Sequence, residues 1–465
     1  ATNDAAVLSG NELYGVVGGP SSDDQRYGLY VRGNAATITL NRLHDLSIYG
    51  IDYSAVKGQV SNNIAYNNGT GLSIFNFSFS PADLIVVEGN TIYANAATGM
   101  VAQRQVLVRN NTVFGQRAIG ARGITLLGGE AVGNVVFDNT NGMAIDSSAY
   151  AHDNRLFHNS AAGLIVDYDS VAERNRVYSN GWGVELGTFF NGSLHNNQVY
   201  ANAQFGVLVH SSSAVDRFIE NNTIYQVGGA AIRVEFSAQR VTVRNNILWA
   251  EGASSYALSV APDSERSFAS DFNLFHLTAG ARLALWENRP YADRVDWFYE
   301  LGFDANSGTA NPLFVNPAGP DGVLGYSGAP LGSALRIDDG DAGYATTGAW
   351  SSLATAGFQN DYQTTNAATG AATANWTFTG LVPGGTYQVA ISWPAAASLS
   401  TVAPFSLFDG AALLTTINID ERLAPADFTD AGAGWKTLGA FRLQSSTLQV
   451  RLTSAFSTLI AADAV

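Results

Sequence analysis

The sequence predicts an all-β protein, a parallel β-helix of about 10–11 coils followed by a C-terminal β-sandwich domain. Three observations predict it. A four-residue unit, Asn-x-apolar-aromatic, recurs at a nearly constant interval. A short alternating strand led by Gly follows most copies. From about residue 334 the repeat gives way to a different set of short alternating strands.

The unit stands at Asn90 (NTIY), Asn111 (NTVF), Asn134 (NVVF), Asn154 (NRLF), Asn175 (NRVY), Asn197 (NQVY), Asn222 (NTIY) and Asn246 (NILW). Weaker copies stand at Asn41, Asn63 and Asn273, and successive positions differ by 20 to 27 residues. The second element reads Gly71-Leu-Ser-Ile, Gly99-Met-Val-Ala, Gly123-Ile-Thr-Leu, Gly142-Met-Ala-Ile, Gly163-Leu-Ile-Val, Gly183-Val-Glu-Leu and Gly206-Val-Leu-Val. Ala231 and Ala257 take the Gly place in two later copies.

The period selects the architecture. The apolar runs are short, β-branched and alternating, with no helical periodicity. Two or three strands plus turns fill about 22 residues, one coil pairing with the next at roughly 4.8 Å. Asn at a fixed turn position can hydrogen-bond its copies above and below. Gly before each strand is expected to supply positive φ. On these residues the chain resembles the right-handed parallel β-helix family of secreted proteins over about residues 1–330. Handedness and export are what the resemblance implies.

The expected domains are a β-helix over 1–276, with 1–40 as an N-terminal cap or first coils, an irregular cap and linker over 277–333, and a sandwich over 334–465. Within the cap, 292–301 reads as a short helix with Val295, Phe298 and Tyr299 on one face. NPLFVNP with AGPDG reads as turn-strand-turn, with Asp304 and Asp321 as turn residues. The sandwich strands are expected at 374–381, 386–393 and 446–453, with Pro383-Gly384-Gly385 turning between the first two. The stretches at 337–350, 375–395 and 459–465 are similar to the carbohydrate-binding-like domain of golvesin and xanthan lyase proteins. Its members usually continue past ADAV, so the chain reads as a segment of a longer protein. Its start, Ala1-Thr-Asn-Asp, fits a cleaved signal or an excised segment.

Composition narrows the partners. The 465 residues are 46% hydrophobic and only 14% charged, with a net charge of −15. That balance disfavours nucleic acid and anionic membranes. No apolar run is long enough to span a bilayer. Cysteine is absent, so disulfides and thiolate metal sites are excluded.

Candidate site residues follow from strand alternation. Leu164 and Val166 read inward, Ile165 and Asp167 outward. Stacking places Phe75, Gln103, Leu127, Asp146, Asp167, Gly187, His210 and Glu235 in one outward column. Ser73, Val101, Thr125, Ala144, Ile165, Glu185, Leu208, Arg233 and Ser259 form a second column two residues earlier. Asp146, Asp167, Glu185, His210, Arg233 and Glu235 are therefore the catalytic candidates, flanked by Tyr168, Phe189 and Phe190 as substrate-binding aromatics. Asp146 and Asp167 on neighbouring coils, about 4.8 Å apart, would make an acid beside a base. Asp146 and Glu185 lie two coils apart, roughly 9.5 Å, at the wide end of an inverting glycosidase's carboxylate spacing. Alternatively, Asp167 and Asp169 with Asp146 hold Ca²⁺ against a uronate, and His210 or Arg233 serves as base. The opposing explanation is a solvated face whose charges pair among themselves. The motifs of pectate lyases, polygalacturonases and alginate epimerases are absent, so no family catalytic residue carries over. The remaining histidines lie at turns and strand ends and are not site candidates.

In the second domain Trp350, Phe358 and Tyr362 are read as loop residues available for sugar stacking, while Trp376 and Trp393 read as core. Asp338, Asp339 and Asp341 offer oxygen ligands for Ca²⁺. The combined expectation is an exported protein at the cell surface or outside it, acting on or binding an extracellular polysaccharide. Hydrolase, lyase and binding roles stay open. The other reading is a non-catalytic structural, adhesive or filament-forming module that contacts copies of itself or neighbouring domains.

Overall fold

A computed structural model describes residues 6–15, 25–80, 82–210, 215–318, 324–326, 335–381, 386–430, 432–454 and 457–465. Asp321 and the Pro383–Gly385 turn lie outside them. The chain forms two compact units, 1–327 and 328–465.

The first unit is a parallel β-solenoid of about 11 turns. One coil carries Asn141–Asp146, Tyr150–His152 and Arg155–Phe157. Each strand pairs in parallel with its counterpart one coil on, in Ala162–Val166, Val171–Glu173 and Arg176–Tyr178. Inward residues such as Leu156, Leu164, Val166, Val177, Val184 and Leu186 have no exposed surface. Each such side chain contributes roughly 1.5–3 kcal/mol through burial.

Two amide ladders run through the coils. The Asn of each repeat unit donates from Nδ2 to Oδ1 of its copy one coil on, without interruption from Asn41 to Asn273. A second ladder begins at Asn68 and Asn95 and passes through Gln116, Asn139, Asn159 and Asn180 to Asn202. These buried amides are thereby satisfied without water. The aromatic residue of each unit stacks on the next, from His44 through Tyr66, Tyr93, Phe114, Phe137, Phe157 and Tyr178 to Tyr200, with ring centroids 4.8 to 5.2 Å apart.

The glycines work differently from the expectation. Gly142, Gly163 and Gly183 do not have positive φ; the residues just before the ladder Asn do, among them Asn110, Asp153 and Asn196. What excludes a side chain at the Gly is space. A Cβ on Gly163 would stand 2.5 Å from Asn180 Nδ2, and one on Gly142 would stand 2.8 Å from Asn159 Nδ2. The second ladder therefore requires the Gly column. Ala231 replaces Gly in the coil after that ladder ends at Asn202.

The last coils are closed by an antiparallel hairpin, Arg282–Trp286 with Arg289–Tyr291, and a helix, Arg294–Leu301. Asp293 caps the helix by accepting from Val295 N and Asp296 N, and Gly302 ends it at φ 78°. The helix buries Trp297 against Trp286, Tyr291 and Phe303. Val295 and Tyr299 face solvent instead, so the packing face is not the expected one. Residues 311–316 form no strand. Phe314 lies against Trp249, and Tyr326 packs on Phe157 and His158.

The second unit is built of antiparallel sheets. Thr373–Thr379 pairs with Thr447–Thr453, which pairs in turn with Ala403–Asp409. Thr386–Ile391 pairs with Ala433–Arg442 in a separate sheet. Trp376 and Trp393 are buried, and their indole N–H groups donate to Asp463 O and Glu421 O.

Candidate functional site

The pairing register sets the outward columns. Ala144, Ile165, Glu185, Leu208, Arg233 and Ser259 follow one another on successive coils. Leu127 pairs with Asp146, and His210 with Glu235. The candidates thus share one face, and their contacts divide them into two groups.

Asp146, Asp167 and Asp169 serve their own turns. Asp167 Oδ1 accepts the backbone N–H of Tyr168 at 2.9 Å and of Phe189 at 2.8 Å. Ser147 Oγ donates to Asp146, and Ser148 Oγ donates to Asp169. The Ser148 hydroxyl holds the Asp169 carboxyl below the usual carboxylate range. These three do not converge on a cation; among the described residues, only Asp338, Asp339 and Asp361 form such a group. The expected Ca²⁺ set on the β-helix is not gathered into one cluster, and one oxygen of each carboxylate accepts from a backbone or serine donor. What Asp167 does is position two aromatics. Tyr168 and Phe189 stack at 5.2 Å between centroids and are 45% and 53% exposed. Phe190 points the other way and is fully buried in the core, so it is not a binding residue.

The second group is continuous over three coils. Trp182 Nε1 donates to Glu185 Oε2 at 3.1 Å. Glu185 Oε1 lies 3.8 Å from His210 Nδ1. The His210 ring is 4.1 Å from that of Phe236, which is exposed. Arg233 Nε donates to Glu235 at 2.5 Å while its guanidinium lies over the Phe205 ring. Indole, phenyl and imidazole rings therefore alternate with carboxylates and a guanidinium. Apolar rings with polar groups at their edges suit the flat C–H faces and rim hydroxyls of a sugar. Glu185 and His210 form the carboxylate–imidazole pair of this group, 3.8 Å apart.

Sequence reasoning missed Trp182, Phe205 and Phe236. A signal was present: Trp182 and Phe205 each precede the column Gly, where earlier coils carry Asn141 and Ala162.

A second charged column escaped the sequence reading altogether. Glu88, Arg109, Val132, His152, Glu173, His195, Glu220, Arg244 and Asp271 pair in register on the next strand face. Arg109 pairs with Glu88 and Arg244 with Glu220, each at 2.6 Å, and His195 lies 3.6 Å from Glu173. Exposed pairs of this kind contribute only about 0.2–1 kcal/mol each. A shallow groove lined by Ser193, His195, Phe218, Glu220, Asn221 and Arg244 runs along them.

In the second unit Phe358 is buried against Trp435. Tyr362 starts a strand, Tyr362–Thr365, rather than lying in a loop. Tyr362 and Trp350 are half-buried against the core, and the Trp350 indole donates to Thr347 O. Asp338 and Asp339 do come together, but with Asp361 rather than Asp341. Asp341 Oδ2 instead accepts Asp338 N at 3.0 Å and shapes the turn. Burial, reinforced by the neighbouring Asp361, pushes Asp338 up to about 6 and Asp339 up to about 7.

The solenoid with a mixed aromatic and ionisable face defines the class, a β-helix protein with an accessory antiparallel β-domain. The chain belongs to the right handed beta helix region family, whose model matches residues 1–156 and 141–248. Residues 336–465 match the model of the Golvesin C-terminal domain. No curated protein sequence matches the chain. Among solved structures, the A-module of the mannuronan C-5 epimerase AlgE4 of Azotobacter vinelandii is 14% identical, covering 60% of this chain and 91% of that one, with a TM-score of 0.35. The enzymatically active domain of bacteriophage CBA120 tailspike protein 2 is 12% identical, covering 92% and 72%, with a TM-score of 0.36. A Paenibacillus xanthan lyase is 22% identical over 28% of this chain, with a TM-score of 0.24; this chain spans only 12% of that lyase's length. No described helix is long and apolar enough to cross a membrane.

Proposed function

We propose that the β-helix face bearing Trp182, Glu185, Phe205, His210, Arg233 and Phe236 binds an extracellular polysaccharide, and that the protein works outside the cell or on its surface. The observation that carries this reading is the succession of half-buried Trp182, Phe205 and His210 rings and the exposed Phe236 ring, with hydrogen-bonding edges, over three successive coils. Coils about 4.8 Å apart repeat on roughly the scale of a sugar ring, so a chain lying along the axis meets a new ring with a polar partner at each step: Trp182 with Glu185, Phe205 with His210, and Phe236 with Arg233 and Glu235. Tyr168 and Phe189 extend the platform by one coil. Binding is favoured over turnover because Asp167, Glu185 and Glu235 are each already engaged by protein donors. Glu185 with His210 is the place where acid–base chemistry would act.

Affinity electrophoresis and calorimetry against neutral and uronic polysaccharides test the reading, with Trp182→Ala beside the parent protein. Loss of a ring stacked on a sugar is expected to weaken binding by about tenfold to a hundredfold. Parallel measurement of new reducing ends and unsaturated products, with Glu185→Gln as control, separates an enzyme from a binding protein. Absence of binding to every polymer would leave the face as a solvated exterior and the protein as a structural module.

A further inference from the structure

We propose that Asp338, Asp339 and Asp361 form a Ca²⁺ site in the second unit, independent of the β-helix face. One carboxylate oxygen from each lies within 4.8 Å of the other two. Asp338 is 3% exposed and Asp339 6%, while Asp361 is half-buried and forms the open side. Carboxylates taken out of water keep their charge only with hydrogen-bond donors or a cation beside them. Here Oδ1 of Asp338 and Oδ1 of Asp339 are both buried with no hydrogen-bond partner. Those two oxygens, on two of the three clustered carboxylates, are what a cation would satisfy.

The surroundings hold the three residues in place. Asp341 Oδ2 accepts Asp338 N, Gln363 Nε2 donates to Asp339 O, and Asp361 N closes a turn on Phe358 O. The donors are oxygens only: the chain has no cysteine, and its histidines all precede residue 277. Three carboxylates of this kind suit a hard cation of adaptable coordination. Ca²⁺ accepts six to eight oxygens at about 2.3–2.6 Å in irregular arrangements, whereas Mg²⁺ demands a near-ideal octahedron.

Tb³⁺, a luminescent stand-in for Ca²⁺, gives a direct readout. The Tyr344 hydroxyl donates to Gln363 Oε1 at 3.3 Å, which puts an energy donor beside the site. The full chain, freed of metal with EDTA, is titrated with Tb³⁺, and Ca²⁺ is then added to displace it; calorimetry with CaCl2 gives the affinity. Saturable Tb³⁺ emission that Ca²⁺ removes is expected. Asp361→Asn should weaken Ca²⁺ binding by about tenfold or more, because a charged ligand is lost. Asp420→Asn, a carboxylate of the same unit that pairs with Arg422 outside the cluster, should keep binding near the parent level. Asp339→Asn is the second ligand variant, and circular dichroism verifies the fold of each. Should the buried Asp339→Asn fail to fold, Asp361→Asn decides alone. The proposal is overturned if the parent chain shows neither displaceable emission nor saturable heat. It is equally overturned if folded Asp361→Asn binds Ca²⁺ as the parent does.

Discussion

Asn273 Nδ2 donates to Asp304 Oδ1 at 3.1 Å, and this bond terminates the longest polar ladder in the protein. Asp304 is 1% exposed and also accepts from Ser307 Oγ and the Trp297 indole. Asp304, read as a turn residue, does open a turn closed by Ser307 N on its carbonyl, and its buried carboxylate is also the plug at the end of the solenoid. Asp304→Ala would strip acceptors from several buried donors at once. The expected cost is about 2–4 kcal/mol, concentrated in the last coils. Amide hydrogen exchange would show faster opening over residues 246–278 than in the early coils. Uniform exchange along the solenoid would contradict that role.

The Gly column makes a paired prediction. Gly163→Ala places a Cβ 2.5 Å from Asn180 Nδ2 and should destabilise the protein by about 1–3 kcal/mol. Gly163→Ala with Asn180→Ala should cost less than the sum of the singles, because the contact with the amide is relieved while only the one with Val177 Cγ1 at 2.6 Å remains. Additive costs in a double-mutant cycle would show that the pair is not coupled.

Glu421 links stability to pH. It has no exposed surface, and its Oε2 accepts Ala461 N at 3.0 Å. Burial raises its carboxyl from 4.5 to about 8. The folded chain therefore holds a proton that the unfolded chain has lost between these values. The stabilisation is complete below 4.5 and disappears as pH rises through about 8, on the order of 4 kcal/mol in all. Asp463, pushed by burial to about 8, works in the same direction. Thermal unfolding of the second unit should shift downward across this range. Glu421→Gln, neutral throughout, should flatten the dependence; an unchanged slope would assign it elsewhere.

The link from Asp167 to the aromatic pair can be probed without touching a ring. Gly187→Ala brings a Cβ within 2.8 Å of the Asp167 carboxylate, a contact the side chain can relieve by rotating. Rotation would release the Phe189 N–H and loosen the Tyr168–Phe189 stack. Polysaccharide affinity is expected to fall about threefold to tenfold, with thermal stability changed by less than about 1 kcal/mol. Retained affinity would remove these two rings from the binding face.

The spacing of the Asn units and the alternation after each Gly were enough to determine the solenoid, its inward residues and the columns on its face. Both depend on local side-chain direction and on coils stacking in register, and both repeat, so a single chain reports them many times. Which carboxylates were already engaged depended on turn conformations that no periodicity encodes, as with Asp167 on Phe189 N. Phe190 was misplaced for the same reason, since a turn can reverse the direction of one residue relative to its neighbour. Trp182 and Phe205 stood in the sequence beside the Gly column, but their meaning needed Glu185 and Arg233 placed against them. In the second unit, Asp361 joined Asp338 and Asp339 across more than twenty residues of sequence, beside the Gln363–Asp339 hydrogen bond. Repetition made the fold legible from the sequence; the contacts of the candidate sites occur once each, and only the tertiary structure decided them.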